Sequence, residues 1–179
     1  MLRIGSAATP WRHRMGTAPL QAAPCYYFGV TLYDALRSVL DALDQARVDS
    51  ALIGGLAVAV WGAPRATKDI DLLVRSEDLE KAMEAVRGCG FTLAALPFEF
   101  KDGTVLQRVN RVDEGGNLMT VDFMLVDRNL EAAWASRTRV PLHGGEVVVV
   151  SREALVAMKA QAARPQDIAD IQNLKEGDR

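Results

Sequence analysis

Apolar residues recur at helical spacing from Tyr33 onward. Leu36, Val39, Leu40, Leu43 and Val48 follow, with Arg37, Asp41, Asp44 and Arg47 on the opposite side. That spacing predicts an amphipathic helix. Thr31 stands where its N-cap belongs, with Asp34 in the first turn. Ala51 to Ile53 is short and apolar on both faces, as a central strand is. Helical spacing returns from Leu56 to Trp61; Gly62 ends it and Pro64 forbids its continuation. Ile70 to Val74 reads as the next strand. Ser76 is expected to cap a helix that buries Leu79, Met83 and Val86 and stops at Gly88-Cys89-Gly90.

The second half is richer in strands. Phe91 to Leu96 reads as a strand closed by Pro97, and residues 98–103 as a loop. Val105, Gln107 and Val109 alternate with Leu106 and Arg108, predicting a strand to about Val112. Residues 113–117 have the composition of a hairpin turn, and Leu118 to Val126 forms the returning strand. Asn129 is expected to cap a helix through Ser136, with Leu130 and Trp134 inward. Val140 to Leu142 and Val147 to Val150 flank His143-Gly144-Gly145 as a hairpin. Ser151 caps a helix from Arg152 to Ala163 that carries Leu155, Met158 and Lys159. Pro165 opens a last helix, with Ile168, Ile171 and Leu174 as its apolar stripe.

Composition narrows the class. With 179 residues, 49% of them hydrophobic, the chain can bury the core of one domain. Residues 1–28 carry Arg3, Arg12 and Arg14, three prolines and no acidic residue. No continuous apolar stretch follows those arginines, so a secretory signal is not expected. They are read as a flexible tail. Residues 29–179 are read as the domain, with the C-terminal helices, 151–175, inside it. A formal net charge of −2 offers no global attraction for nucleic acid, so RNA binding would need a local basic patch. Cys25 and Cys89 have no metal-binding spacing, which suits a reducing cytoplasm. No apolar run approaches a membrane span. His13 and His143 are the only histidines, a poor fit to a histidine-centred hydrolase.

The chemistry concentrates in residues 54–71. On a strand, Asp69 and Asp71 point to the same side, where two carboxylates repel. A hard divalent cation such as Mg²⁺ relieves that repulsion, and it favours one or two carboxylates together with phosphate oxygens. Gly54-Gly55, at a turn into a helix, offers backbone N–H groups to a phosphate without side-chain obstruction. Arg65 and Lys68 precede the aspartates. They either meet a triphosphate or acceptor, or balance the two carboxylates as loop cations. Asp122 lies mid-strand between Val121 and Phe123, where a lone buried carboxylate is expensive. Facing the same cation as Asp69 and Asp71 removes that cost. Asp127, at the strand end, is the rival carboxylate and reads instead as a turn or helix cap.

Gly54-Gly55 followed by Arg65-x-Thr67-x-Asp69-Ile70-Asp71-Leu72-Leu73-Val74 resembles the nucleotidyltransferases of the polymerase-beta superfamily. The flavour is that of small bacterial AbiE-type toxins and minimal nucleotidyltransferases, over roughly residues 31–175. The resemblance implies an α+β nucleotidyltransferase fold: a mixed β-sheet flanked by helices, with a short C-terminal helical pair. It implies nucleotidyl transfer from an NTP such as ATP by two Mg²⁺ (or Mn²⁺) ions. Asp69, Asp71 and Asp122 would be the catalytic, metal-binding residues, and Gly54 and Gly55 would lie on the phosphates. Lys159 and Asp167 match later motifs, with the lysine on nucleotide phosphates and the aspartate positioning it. The alternative for that block is a salt-linked pair of surface helices. The implied acceptor is a hydroxyl of an RNA end such as tRNA, or of a protein, within a toxin–antitoxin pair with a cognate antitoxin. Small relatives that modify aminoglycosides keep a small-molecule acceptor open, and a nucleotide-binding module without catalysis is a further reading. A cytoplasmic protein without membrane association is expected.

Overall fold

The computed structural model describes residues 31–113, 115–142 and 145–176. The tail read over residues 1–28, with His13 and Cys25, and the turn residue His143 lie outside the described residues. Helix α1, Leu32–Gln45, starts as the sequence predicts. The Asp34 N–H donates to Thr31 Oγ1 at 3.1 Å and the Thr31 N–H donates to Asp34 Oδ2 at 3.1 Å, a reciprocal capping box. Leu36, Val39 and Leu43 are buried beneath it.

Eight strands form one mixed sheet: β1 Ser50–Leu52, β2 Asp69–Arg75, β3 Leu93–Ala94, β4 Phe98–Glu99, β5 Val105–Val112, β6 Leu118–Val126, β7 Thr138–Leu142 and β8 Gly145–Val149. The order is β3-β5-β6-β2-β1-β8-β7, with β4 paired on β5. Parallel pairing joins β2 to β6 and β1 to β8; the other pairs are antiparallel. β1 and β2 are central, and Ala51, Leu52, Ile70, Leu72, Leu73 and Val74 are fully buried. The remaining helices are α2 Gly54–Val60, α3 Leu79–Arg87, α4 Glu131–Ala135, α5 Arg152–Ala162 and α6 Pro165–Glu176. The expected α+β architecture, a mixed sheet flanked by helices with a C-terminal helical pair, is the one observed. No helix among the described residues is long and apolar enough to cross a membrane.

Four local expectations are corrected. Ser76 does not cap α3; it opens a 3-10 turn, Ser76–Asp78, that leads into the helix. Phe98-Glu99 is a short strand rather than loop, because β5 is long enough to pair both it and β3. Asn129 does not cap α4, which begins at Glu131 without a side-chain cap; Asp127 Oδ1 instead closes the turn before it, accepting from the N–H groups of Asn129 and Leu130 at 2.8 and 3.1 Å. That is the turn role the sequence suggested for Asp127. Finally, α6 does not bury an isoleucine stripe. Ile168 is exposed, and Asp167, Asp170 and Leu174 face inward. The reason lies in α5, whose Lys159 is buried and needs carboxylates.

Candidate active site

Register brings the acids together. In the parallel pair β2–β6, Asp71 is the partner of Asp122 and Asp69 of Thr120. Cα partners share a face of the sheet. Val121 and Phe123 are fully buried on the other face of β6, so Asp122 turns toward Asp69 and Asp71. The three carboxylates predicted as catalytic therefore line one sheet face.

The turn from β1 into α2 presses on the same spot. The Ile53 N–H donates to the Asp71 carbonyl at 3.0 Å. The next residue, Gly54, has φ +65°, and a Cβ there would sit 2.5 Å from Asp71 Cγ. Only glycine combines that backbone with that approach. A Cβ on Gly55 would lie 2.7 Å from Thr67 Oγ1, so this second glycine is also held against the loop before β2. The Gly55 N–H donates to the Asp71 carboxylate. Gly54→Ala is expected to lower stability by roughly 2 kcal/mol, from the left-handed alanine and the collision with Asp71. The readout is a thermal melt of the metal-free protein, and an unchanged Tm would contradict the close approach.

The electrostatics follow from crowding. Burial, then the charges of Asp122 and Asp69, push the Asp71 carboxyl up to about 6. Asp69 is raised by burial and by Asp122, against the opposing pull of Arg108 and Lys68 and a hydrogen bond with Thr120. Asp122 is partnered differently. Arg108 on β5 lies directly across from it, and donates from Nε to Oδ1 at 2.8 Å and from Nη2 to Oδ2 at 2.7 Å. Both Asp122 oxygens are thereby engaged. Among the described residues, no group of three His, Cys, Asp or Glu side chains is gathered closely enough to hold a metal ion. The donor set nevertheless fits a hard divalent cation. Asp69 and Asp71 are oxygen donors whose mutual repulsion a cation would relieve, and no described cation pairs directly with either.

The other predicted residues form a second, adjoining cluster. Ala163, with φ 51°, reverses the chain after α5 so that α6 packs back on it. Lys159 Nζ then donates to Asp170 Oδ2 at 2.6 Å and to Asp167 Oδ1 at 3.2 Å, with Lys159 and both acids buried. Arg65 donates from Nε and Nη2 to the two Asp170 oxygens at 2.7 and 3.0 Å. Arg164 Nε donates to Asp167 Oδ2 at 2.6 Å. Burial opposes ionisation of Asp167, but Arg164 and Lys159 outweigh it and hold the carboxyl below its usual range. Lys159 thus forms ion pairs between α5 and α6 in the interior, and Arg65, partly exposed, pairs with Asp170 rather than with Asp69 or Asp71. The Lys159 charge still reaches Asp71, whose ionised form it favours. Lys68 is exposed, beside Asp69.

Arg108 was not singled out in the sequence, yet a signal was present. Strands ending at Val112 and beginning at Leu118 place Arg108 opposite Asp122 once they pair across the turn. Asp170 lies in the same sequence block as Lys159 and Asp167, but its pairing with Arg65 has no such local signal, because that partner lies across the fold.

The family model described as "Nucleotidyltransferase of unknown function (DUF6036)" matches residues 31–175. No curated protein matches the sequence significantly. Among solved structures, the putative nucleotidyltransferase TM1012 from Thermotoga maritima is 18% identical over 80% of this chain and 92% of that one, with a TM-score of 0.58. The antibiotic-resistance factor ANT(2'')-Ia is 19% identical over 80% of each chain, with a TM-score of 0.56. The lincosamide antibiotic adenylyltransferase LnuA, solved with lincomycin, is 18% identical over 79% of this chain and 94% of that one, with a TM-score of 0.55. At such identities the likeness is one of fold. The family match, spanning most of the chain, goes further: this protein belongs to the DUF6036 family of nucleotidyltransferases.

Proposed function

We propose that the domain transfers a nucleotidyl group from an NTP to an acceptor hydroxyl, at the face of the sheet formed by β2 and β6. The observation that carries this reading is the register of Asp71 with Asp122, beside a turn where Gly54 touches Asp71. Asp69 and Asp71 would hold Mg²⁺ or Mn²⁺, with Asp122 joining them. When bound, a pair of such ions would polarise the attacking hydroxyl and neutralise the triphosphate and departing pyrophosphate. The acceptor oxygen forms a bond to the α-phosphorus, and the bond from that phosphorus to the pyrophosphate oxygen breaks. A carboxylate oxygen of Asp122 takes the acceptor proton. The Gly54-Gly55 backbone would lie against the β/γ-phosphates. Lys68, exposed beside Asp69, would face the triphosphate, and Arg65 would reach it only by leaving Asp170. Lys159, positioned by Asp167, adds positive charge behind it.

For the acceptor, the motif Arg65-x-Thr67-x-Asp69-Ile70-Asp71 supports the AbiE-type reading: an RNA end or a protein side chain, modified by a toxin held by a cognate antitoxin. A small-molecule acceptor is favoured by a separate observation. The chain shares its fold with LnuA, a lincosamide antibiotic adenylyltransferase, and with the antibiotic-resistance factor ANT(2'')-Ia, across most of their lengths. Purified protein incubated with Mg²⁺ and each labelled NTP decides among them, with total tRNA, a lincosamide and aminoglycosides offered in separate reactions. Label on one acceptor class with matching pyrophosphate, lost in Asp69→Ala/Asp71→Ala, is the expected result. Tight nucleotide binding with no transfer to any acceptor would favour a binding module instead.

A further inference from the structure

Arg108 occupies the carboxylate that the proposed transfer would use as proton acceptor. Its guanidinium covers both oxygens of Asp122, at 2.7 and 2.8 Å. The two side chains differ sharply in freedom: Arg108 is 45% exposed and Asp122 is 5% exposed. Asp122 therefore cannot turn to water for its charge, whereas Arg108 can leave for solvent at little cost. A buried carboxylate stripped of its cation is strongly disfavoured, so Asp122 keeps its charge only with a cation beside it. Asp69 and Asp71 add to the field that holds Arg108 in place, since both act on its guanidinium.

We infer that Arg108 is a displaceable counter-ion of Asp122: it holds the third carboxylate while the site is empty, and a divalent cation arriving on Asp69 and Asp71 expels it. The expulsion is electrostatic. A divalent ion takes the Asp122 lone pairs and repels the guanidinium. Strand order then sets where Arg108 goes. β5 lies on the far side of β6 from β2 and the Gly54 turn, so the released guanidinium stands on the side away from the phosphate-facing glycines. Arg108 is on this account a positioning residue, acting through Asp122. The inference rests on the cation-binding reading above, and its test separates the two.

Binding of Mn²⁺ alone is measured by the paramagnetic resonance of the free ion, in the wild type, Arg108→Gln, Asp71→Asn, Asp122→Asn and the Asp122→Asn/Arg108→Gln double variant. Arg108→Gln should bind Mn²⁺ about tenfold or more tightly, the scale of a lost charged hydrogen-bond competitor. In the Asp122→Asn background the same change should tighten binding far less, leaving only the relief of a nearby positive charge, because there is no longer a carboxylate to contest. Unchanged or weaker Mn²⁺ binding in Arg108→Gln overturns the inference. If Asp71→Asn abolishes binding and Arg108→Gln does not tighten it, only the counter-ion role fails. If Asp71→Asn leaves Mn²⁺ binding untouched, the cation site itself fails, and the counter-ion role with it. Should Arg108→Gln not fold, the wild type supplies the second measurement. Saturating Mg²⁺ should raise hydrogen exchange at the Arg108 Nε–H, followed by ¹⁵N NMR, and protection that persists overturns the inference.

Discussion

Asp71→Asn is expected to lower nucleotidyl transfer by about 10³-fold or more, while the metal-free protein becomes more stable. The two effects have one cause. Asp71 sits where burial, Asp122 and Asp69 all oppose its charge, and its carboxyl titrates at about 6 instead of 3.8. The native state therefore holds that proton more tightly than the unfolded chain does. Ionised Asp71 opposes folding fully above about pH 6, the opposition fades as pH falls through that value, and it is gone below 3.8. Asparagine keeps an acceptor for the Gly55 N–H and removes the charge. The gain in stability at pH 7.5 should be about 2 kcal/mol, shrinking toward pH 5. Melts with and without Mg²⁺ across that range, alongside pyrophosphate release, test both halves. Mg²⁺ should raise the Tm of the wild type and leave the variant unmoved. A variant that still transfers at the wild-type rate would remove Asp71 from the chemistry.

Asp170→Ala should be the most damaging single change to stability. Asp170 is fully buried and accepts from Arg65, Lys159 and Gln166. Its loss strands a buried ammonium with Asp167 alone, and frees the Arg65 guanidinium from its anchor. Breaking a buried pair in this way costs about 3–5 kcal/mol, or a fall in Tm of roughly 10 °C for a domain of this size. The exposed pair Arg75–Glu131 is the control. Its geometry is as short, at 2.7 Å, but both partners remain in contact with water, so Glu131→Ala should hardly shift the melt. Equal losses at the two sites would mean that water reaches the Lys159 cluster.

The two clusters were not equally legible in the sequence. Asp69 and Asp71 could be placed on one face from the period of a strand alone, and Gly54-Gly55 from the break between an apolar strand and an apolar helix. Asp122 was legible from the cost of a carboxylate between Val121 and Phe123. Arg108 could have been found by pairing the two strands across the 113–117 turn, since hairpin register is set locally by the turn. Ile168, Ile171 and Leu174 have helical spacing, but of these only Leu174 is fully buried. Periodicity weighs apolar side chains and is blind to a buried lysine on the neighbouring helix, whose demand for carboxylates turned Asp167 and Asp170 inward. The turn before α4 is closed by Asp127 rather than Asn129 for a similar reason. Both residues suit a cap, and only the path of the chain out of β6 chooses between them.

The sequence by itself determined most of the long elements and the side each strand residue takes, because both follow from neighbours within a few positions. The tertiary structure alone decided which strands lie side by side. β2 and β6 are separated by more chain than any local rule spans, and their parallel register is what sets Asp71 beside Asp122. It also decided which cation serves which acid: Arg108 on Asp122, Lys159 on Asp167 and Asp170, and Arg65 on Asp170. Charges choose partners by distance and burial, and both are properties of the packed fold.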